Sequence, residues 1–362
     1  NFAMKPLILL LLAASALHSA PIELPLKGLA EPLPTLNNPQ RKTLDRAIAL
    51  IRRGEHLAAL SVLPVPYMFM IKFLALLALA WLAYAVQRLC VAMNASEAWA
   101  AAIFVLCLPT AIFNGPGLGQ SDGFWIAPSL LALAAAAERR IVWMAAWAGV
   151  AFAFKPQALL LFPLFALAAL KQKEWRAPLV PPVIYVLAIT PAALVGWPLD
   201  GLLLVYSRQA ASDFLGNAPN IWAIPLTLGY SGSLLIGYVA AGLAAAAYLL
   251  HFMRRELNRG TLLYAALLGS LVFPFLLPRM HERYFFLADV LAFILFYWRR
   301  DRRSFAIFAA VQIGSLLSIV GYLWPSPLAN NIGSVAMGGA LVTLLWSLAD
   351  ANASPKSKRS GL

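Results

Sequence analysis

The chain has 362 residues, of which 62% are hydrophobic and 12% are charged, and its mean hydropathy is +0.76. Soluble domains are close to half apolar and a quarter charged, so the composition excludes a soluble globular protein and indicates an integral membrane protein. The net charge of +13 resides in short cationic clusters between apolar runs, which fits topology signals and lipid headgroups and argues against a nucleic-acid partner.

The first apolar run, at about 6–20, follows Lys5 and allows two interpretations. It resembles a signal peptide with a cleavage site at Ala14-Ser15-Ala16, or it is a short first span, since roughly 20 residues cross the hydrocarbon. We favour a retained span. Under either interpretation the segment 21–65 emerges on the outside.

This first outside segment contains a predicted amphipathic helix. Leu44, Ile48 and Ile51 recur at i, i+4 and i+7, cations occupy the remaining arc, and Gly54 is a plausible cap. The pattern predicts a helix on the outer membrane surface. Its basic face either meets lipid phosphates or forms the wall of a site, and both interpretations stay open.

Further apolar runs predict an all-α, polytopic bundle of about twelve spans, with a range of 10 to 13. We expect one membrane domain over 1–350 and a disordered basic cytoplasmic tail at 351–362. After the first run, the predicted runs are 66–87, 97–114, 123–137, 141–154, 157–171, 178–197, 232–252, 261–277, 284–298, 304–324 and 330–349.

Basic clusters between alternate runs predict the orientation, because loops rich in Lys and Arg stay in the cytoplasm. Both termini are then cytoplasmic. The clusters are Arg139-Arg140, Lys171 to Arg176, Arg254-Arg255 with Arg259, Arg299 to Arg303, and Lys356 to Arg359. The segments then expected outside are 21–65, 113–122, 155–157, 198–231, 278–283 and 325–329.

Two short outside segments carry candidate site residues. The Gly-rich stretch 114–125 includes Gln120 and Asp122. Asp122 stands at the start of a run, where its carboxylate can cap the helix, point into an outside cleft, or do both. Lys155 and Gln157 lie in a three-residue loop. Lys155 either extends to lipid headgroups or binds a phosphate.

The outside segment 206–222 combines amides with an indole in Asn217, Asn220 and Trp222. Amides exchange hydrogen bonds with hydroxyls and aromatic faces stack on sugar rings, so these residues suit a carbohydrate. The alternative is an ordinary interfacial loop with a tryptophan of the aromatic belt.

The segment around 278–289 holds cations on the side where cations are normally depleted. Arg279 and Arg283 can clamp a phosphate, and His281 can bond to a phosphate or a sugar. Glu282 and Asp289 are seven positions apart, which predicts one shared helix face. A purely structural Arg–Glu–His network is the competing interpretation.

Taken in order, four sequence words between about 66 and 290 resemble C-type membrane glycosyltransferases. They are most similar to bacterial relatives of the GPI-anchor mannosyltransferase that adds the second mannose. The His-Glu-Arg-Tyr word is also similar to the His-Glu-Lys word of lipid-linked-oligosaccharide glucosyltransferases. The words are Gly119-Gln120-Ser121-Asp122, Lys155-Pro156-Gln157, Asn217-Ala218-Pro219-Asn220-Ile221-Trp222 and Met280-His281-Glu282-Arg283-Tyr284-Phe285-Phe286.

The resemblance implies inverting transfer of a sugar, mannose in the relatives, from a polyprenyl-phosphate donor. The acceptor would be a glycan, lipid or protein on the outer face of a bacterial cytoplasmic membrane, and no metal or other cofactor is expected. Lys155, His281 and Arg283 would hold the phosphate, with Asp122 near the reacting sugar. The expected substrate contacts are Gln120, Gln157, Asn217, Asn220, Trp222 and Glu282.

One departure from the family pattern concerns the general base. The relatives carry an acid early in the first outside loop, where this chain has Asn37-Asn38-Pro39-Gln40 and its nearest acids are Glu31 and Asp45. The base is therefore Asp122 or Asp45, with a slight preference for Asp122, or the chain is a non-catalytic lipid-binding member. A secondary transporter is the other alternative, although transporters place polar residues near the midplane on repeated halves.

Overall fold

The computed structural model describes residues 65–205 and 214–353, together with Lys42, Arg46 and Ala49. Within these residues every regular element is helical, and strand-like pairing is confined to isolated bridges from His281 to Gly216 and Asn217. The prediction of an all-α fold is therefore confirmed at the level of fold class.

The helices follow the predicted apolar runs closely. The α-helices are α1 (Val65–Ala92), α2 (Ala98–Leu106), α3 (Pro109–Ile112), α4 (Gly123–Ala137), α5 (Ile141–Phe154), α6 (Phe162–Lys171), α7 (Val180–Leu194), α8 (Leu199–Leu203), α9 (Ala223–Thr227), α10 (Leu234–Met253), α11 (Arg259–Leu276), α12 (Phe286–Arg299), α13 (Arg302–Leu323) and α14 (Pro327–Ala353). A π-helical turn spans Phe113–Gly117, and 3₁₀ segments span Pro156–Leu161, Ala177–Leu179 and Glu282–Phe285.

The predicted count of twelve spans is not confirmed. In the described ranges, six helices are long and apolar enough to cross a membrane, or seven if α2 and the segment Pro109–Gly117, which meet at a 59° bend, form one span. Helices α4 and α12 have 15 and 14 residues, fewer than the roughly 20 of a full crossing.

The two short helices, α4 and α12, are surrounded by other parts of the protein. Every residue of α4 from Trp125 to Ala136 is buried, and so is every residue of α12 from Phe286 to Leu295. A helix that is apolar all round can be surrounded by protein instead of lipid. An apolar run in the sequence does not distinguish the two surroundings.

The two ends of the chain are described only in part. Lys42, Arg46 and Ala49 are helical and exposed, but the apolar positions Leu44 and Ile48 lie outside the described residues. The amphipathic surface helix therefore stays a prediction. Helix α14 continues to Ala353, three residues beyond the predicted domain boundary, and the tail after it lies outside the described residues.

Contacts gather the basic loops at one end of the bundle, called here the basic end. Arg88 and Arg140 both approach Glu138, at 3.6 and 3.5 Å. Further contacts at this end join Arg300 to Ser96, Lys171 to the carbonyl of Arg255, and Arg303 to Asp350. A shallow cleft also brings Arg139 and Arg140 beside Gln172 and Glu174.

The opposite end carries the candidate residues and is called here the site end. Helix α4 starts after Asp122 and ends before Glu138, so these two residues are separated by about 24 Å along its axis. Helix α5 runs back and ends just before Lys155. Antiparallel helices thus return the chain to the site end.

Candidate functional site

Asp122 stands before the first turn of α4 but makes no capping hydrogen bond, so the expected helix cap is corrected. Its Oδ1 instead accepts from Lys155 Nζ at 2.6 Å and from Trp125 Nε1 at 2.8 Å. The next residue, Gly123, lets α4 meet α1 closely, because a Cβ there would lie 2.8 Å from the carbonyl oxygen of Ala78. This close approach fixes the position of Asp122.

Lys155 follows the last residue of α5 in extended conformation and is only 8% exposed. Its ammonium lies against Asp122, and Glu282 and Arg283 are close enough to act on it electrostatically. Burial lowers the pKa of Lys155, while the Asp122 carboxylate opposes that shift. The alternative of a headgroup-seeking lysine does not fit, because the side chain points into protein.

Glu282 and Arg283 lie in the 3₁₀ segment before α12 and are 1% and 8% exposed. Arg283 Nη1 lies 3.5 Å from Glu282 Oε1, which is an ion pair but long for a hydrogen bond. Burial raises the pKa of the Glu282 carboxyl, and Arg283 offsets part of that shift.

Asp289 lies in α12, whereas Glu282 lies in the 3₁₀ segment that precedes it, so the two do not share a face of one α-helix as predicted. The two carboxyls also meet different partners. Gln312 Nε2 lies 3.4 Å from Asp289 Oδ1, and Thr110 donates to Gln312 Oε1 at 3.0 Å. A buried polar network beneath the site therefore holds Asp289, as an acid inside a membrane requires.

The loop 214–222 lies across the 280s segment. The Gly216 amide donates to the Met280 carbonyl at 2.8 Å, and the Arg279 amide donates to the Phe214 carbonyl at 2.7 Å. Gly216 is required here, since a Cβ at this position would lie 2.3 Å from Nδ1 of His281. The loop consequently covers His281, whose ring also packs edge-on against Tyr284.

Asn220 and Trp222 use their polar atoms inside the protein, which corrects the expectation that these atoms meet a sugar. Asn220 is fully buried, and its Nδ2 donates to the Leu277 carbonyl at 3.1 Å. Trp222 Nε1 donates to the Leu276 carbonyl at 2.8 Å. Both residues tie the loop to the end of α11, whereas Asn217 is exposed.

Several buried polar atoms at this end lack a hydrogen-bond partner in the described part of the chain. Native proteins leave few such atoms without a partner, and ordered water or a ligand accounts for many of them. The cluster therefore has the chemistry of a binding site for a polar molecule. The atoms are Gln120 Oε1, Gln157 Oε1, Arg279 Nε, Arg283 Nε and both carboxylate oxygens of Glu282.

Three residues with contacts at this end were not predicted from the sequence: Lys72, Trp125 and Tyr322. Lys72 lies in the apolar α1 and donates to the carbonyl oxygen of Gly117 at 2.5 Å, and also to that of Pro116. A lone cation in an apolar run was the available signal for it. Tyr322, near the end of α13, faces Glu282 and Arg283. No spacing in the sequence indicates that contact.

The structure thus brings Gln120, Asp122, Lys155, Glu282 and Arg283 into one cluster. Gln157 joins it through Tyr284. Asp45 lies outside the described residues, so its proposed role is untested. In the ranges that the structure covers, no three His, Cys, Asp or Glu side chains are arranged to hold a metal.

The fold and this cluster together describe a helical membrane protein with a buried polar site at one end of its bundle. In comparisons with known proteins, no family model and no curated protein matches the chain. Evidence for its function therefore comes from its own residues and their geometry.

Proposed function

We propose that the protein is a membrane glycosyltransferase that moves a hexose from a polyprenyl-phosphate donor to an acceptor on the extracytoplasmic face, with inversion. The observation that supports this proposal is that separate sequence words converge at one end of the bundle. Four sequence words from separate parts of the chain meet at the site end, away from the basic loops. Cations kept at that end require a reason, because short outer loops are normally poor in Lys and Arg.

The charges of the cluster suit a lipid phosphate. Among the described residues, Lys155 and Arg283 lie beside two acids, Asp122 and Glu282, and Arg279 and His281 add further donors in the same segment as Arg283. The donor is a phosphodiester, and the departing polyprenyl phosphate carries more negative charge than the donor. Fixed cations therefore stabilise the leaving group more than the ground state, as catalysis requires.

The same end offers contacts for the rest of the donor. The amide oxygens of Gln120 and Gln157 lack a partner among the described residues, and the amide of Asn217 is exposed, so these groups can bond sugar hydroxyls. Phe124, two residues after Asp122, stacks on Phe154, the residue before Lys155, with ring centroids 5.4 Å apart. This apolar wall suits the first isoprene units of a lipid chain. The predicted sugar is mannose, which rests on the family resemblance alone.

The proposal is tested by transfer of radiolabelled sugar from polyprenyl-phosphate mannose by the purified protein in liposomes, with polyprenyl-phosphate glucose as the competing donor. Lys155→Met and Arg283→Met should each lower transfer at least about 10²-fold, the order expected for an electrostatic contact to the reacting group. Arg302→Met removes an exposed cation at the basic end and should leave transfer unchanged.

Absence of transfer by the wild-type protein with either donor would overturn the proposal. Binding of polyprenyl phosphate without turnover would instead support the non-catalytic lipid-binding alternative. If Arg302→Met lowers transfer as much as Lys155→Met and Arg283→Met do, transfer depends on the overall charge of the protein and not on this cluster.

One observation favours the transporter as a second candidate. Asp289 is fully buried in α12, and its partner Gln312 bonds Thr110 in the segment that bends by 59° from α2. Buried acids beside interrupted helices are typical of ion-coupled transport sites. Saturable sugar uptake into proteoliposomes, lost in Asp289→Asn, would favour this candidate over transfer.

A further inference from the structure

The two buried carboxylates of the cluster have different surroundings. Asp122 Oδ1 accepts from both Lys155 Nζ and Trp125 Nε1, at 2.6 and 2.8 Å. These charge-assisted bonds stabilise the ionised form and occupy the oxygen that makes them. A carboxylate held in this way gains little by accepting another proton.

Glu282 lacks such partners. In the described part of the chain no donor lies at good hydrogen-bonding geometry to either of its oxygens, although the side chain is only 1% exposed. Arg283 pairs with it at 3.5 Å, and the side-chain amide of Gln120 and its own backbone amide are near enough to lower its pKa. The other charged or titratable groups that act on it are Asp122 before α4, Lys155 after α5, Tyr284 in its own 3₁₀ segment and Tyr322 in α13.

A general base needs an accessible lone pair and a proton affinity suited to the working pH. When one site places two carboxyls in opposite environments, the environments assign their roles. Burial raises the pKa of Glu282, in the direction that makes it a stronger base. The geometry agrees, because neither of its oxygens is bound by a lysine and an indole in the way that Oδ1 of Asp122 is.

We propose that Glu282 is the general base of the transfer and that Asp122 is a positioning residue, which holds Lys155 where the donor phosphate binds. The assignment rests on the proposed function. It replaces the choice between Asp122 and Asp45 made from the sequence. It also gives the unpartnered oxygens of Glu282 a ligand, the acceptor hydroxyl.

The acceptor oxygen forms a bond to C1 of the sugar while its proton passes to a Glu282 oxygen. The bond from C1 to the phosphate oxygen breaks, and its electron pair leaves with the polyprenyl phosphate. Lys155 and Arg283 meet the negative charge that develops there. The proton on Glu282 then returns to solvent.

The test is steady-state transfer by the wild-type protein, Glu282→Gln, Glu282→Asp and Asp122→Asn in liposomes. Glu282→Gln should lower kcat by about 10²- to 10⁴-fold with little change in the KM for donor, the range of general-base contributions. Glu282→Asp should recover part of that loss. Asp122→Asn should raise the KM for donor, because Lys155 is no longer held.

The pH dependence separates a base from a structural residue. In the wild-type protein, kcat/KM should rise with pH through a midpoint above the ordinary glutamate value of 4.5. The rising limb should persist in Asp122→Asn and disappear in Glu282→Gln. Binding of polyprenyl phosphate by Glu282→Gln shows that the variant is folded.

The outcomes are distinct. Absence of transfer by the wild-type protein defeats the proposed function itself. If the wild-type protein transfers sugar and Glu282→Gln keeps a near-normal kcat, only the base assignment is defeated. The base assignment is also defeated if the rising limb of the pH profile disappears in Asp122→Asn but not in Glu282→Gln. If Glu282→Gln does not fold, the base assignment is decided by the pH profile of the wild-type protein and by the activity of Glu282→Asp. An unchanged kcat in Glu282→Asp would overturn the assignment.

Discussion

Lys155 Nζ lies 2.6 Å from Asp122 Oδ1 and joins two sequence words that are 33 positions apart. The pair is buried at the point where α5 ends and α4 begins. It fixes the register of these two antiparallel helices. Glu282 and Arg283 lie close to the pair and complete the cluster.

This ion pair predicts a strong asymmetry between single and double variants. Lys155→Met leaves a buried carboxylate without its cation and should destabilise the protein by about 3–5 kcal/mol, whereas the combined Lys155→Met and Asp122→Asn change should cost less. Unfolding in mixed micelles measures both. Lys173→Met, at an exposed lysine of the basic end, should stay within about 0.5 kcal/mol of the wild type. Additive losses in the double variant would contradict the pairing.

Stability should depend on pH through Glu282. Burial raises the pKa of Glu282 in the folded state, so the folded protein favours the protonated carboxyl more than the unfolded protein does. The stability that this preference contributes is complete below the ordinary value of 4.5 and is lost as pH rises through the raised pKa. Glu282→Gln should therefore gain stability relative to the wild type across that window, measured by thermal unfolding at several pH values. A difference that does not vary with pH would argue against a buried, titrating Glu282.

The loop over His281 should tolerate no side chain at Gly216. Gly216→Ala places a Cβ 2.3 Å from the imidazole, so the loop must move, at a cost of about 1–3 kcal/mol and with loss of transfer. Gly242→Ala is the matched control, because nothing lies within 4 Å of its Cβ and the position is helical. It should be neutral or stabilising by up to about 1 kcal/mol. Thermal unfolding and sugar-transfer assays of both variants measure these effects. Equal stability and transfer in the two variants would contradict the close contact at Gly216.

The Asp289 network should be structural in a transferase. Gln312→Leu removes one interhelical hydrogen-bond partner and should cost on the order of 1 kcal/mol, as such bonds do in membrane proteins. Asp289→Asn keeps the shape of the side chain and should retain sugar transfer. Unfolding and transfer assays measure these effects. Complete loss of activity in a folded Asp289→Asn protein would assign the network to function.

Opposite ends of the bundle should be accessible from opposite sides of the membrane. Single cysteines at Asn217 and at Lys173, each introduced with Cys107→Ala, report the site end and the basic end, while buried Cys90 stays unreactive. An impermeant maleimide should label position 217 from outside intact cells and position 173 only after lysis. Labelling of both from one side would contradict the predicted topology.

The helices were predictable from the sequence where charges interrupt apolar runs. The runs 123–137 and 141–154 coincide with α4 and α5, because Asp122, Arg139-Arg140 and Lys155 bound them. Alternation of helix direction then placed Asp122, Lys155 and Arg283 at one end. The number of membrane crossings did not follow, since apolarity does not distinguish lipid from protein around α4 and α12.

Side-chain partners at the site were less predictable. The sequence indicated polar residues at 217–222, but not that Asn220 and Trp222 bond to the carbonyls after α11. Nor did it distinguish the paired Asp122 from the unpartnered Glu282. Such contacts depend on how loops cross one another, and no local spacing encodes that arrangement.

The most direct test is a structure of the protein in a lipid bilayer with polyprenyl phosphate bound. Phosphate density is expected within hydrogen-bonding distance of both Lys155 Nζ and the Arg283 guanidinium, at the site end of the bundle. Phosphate bound elsewhere, with Lys155 still closed on Asp122 and the cluster empty, would contradict this expectation.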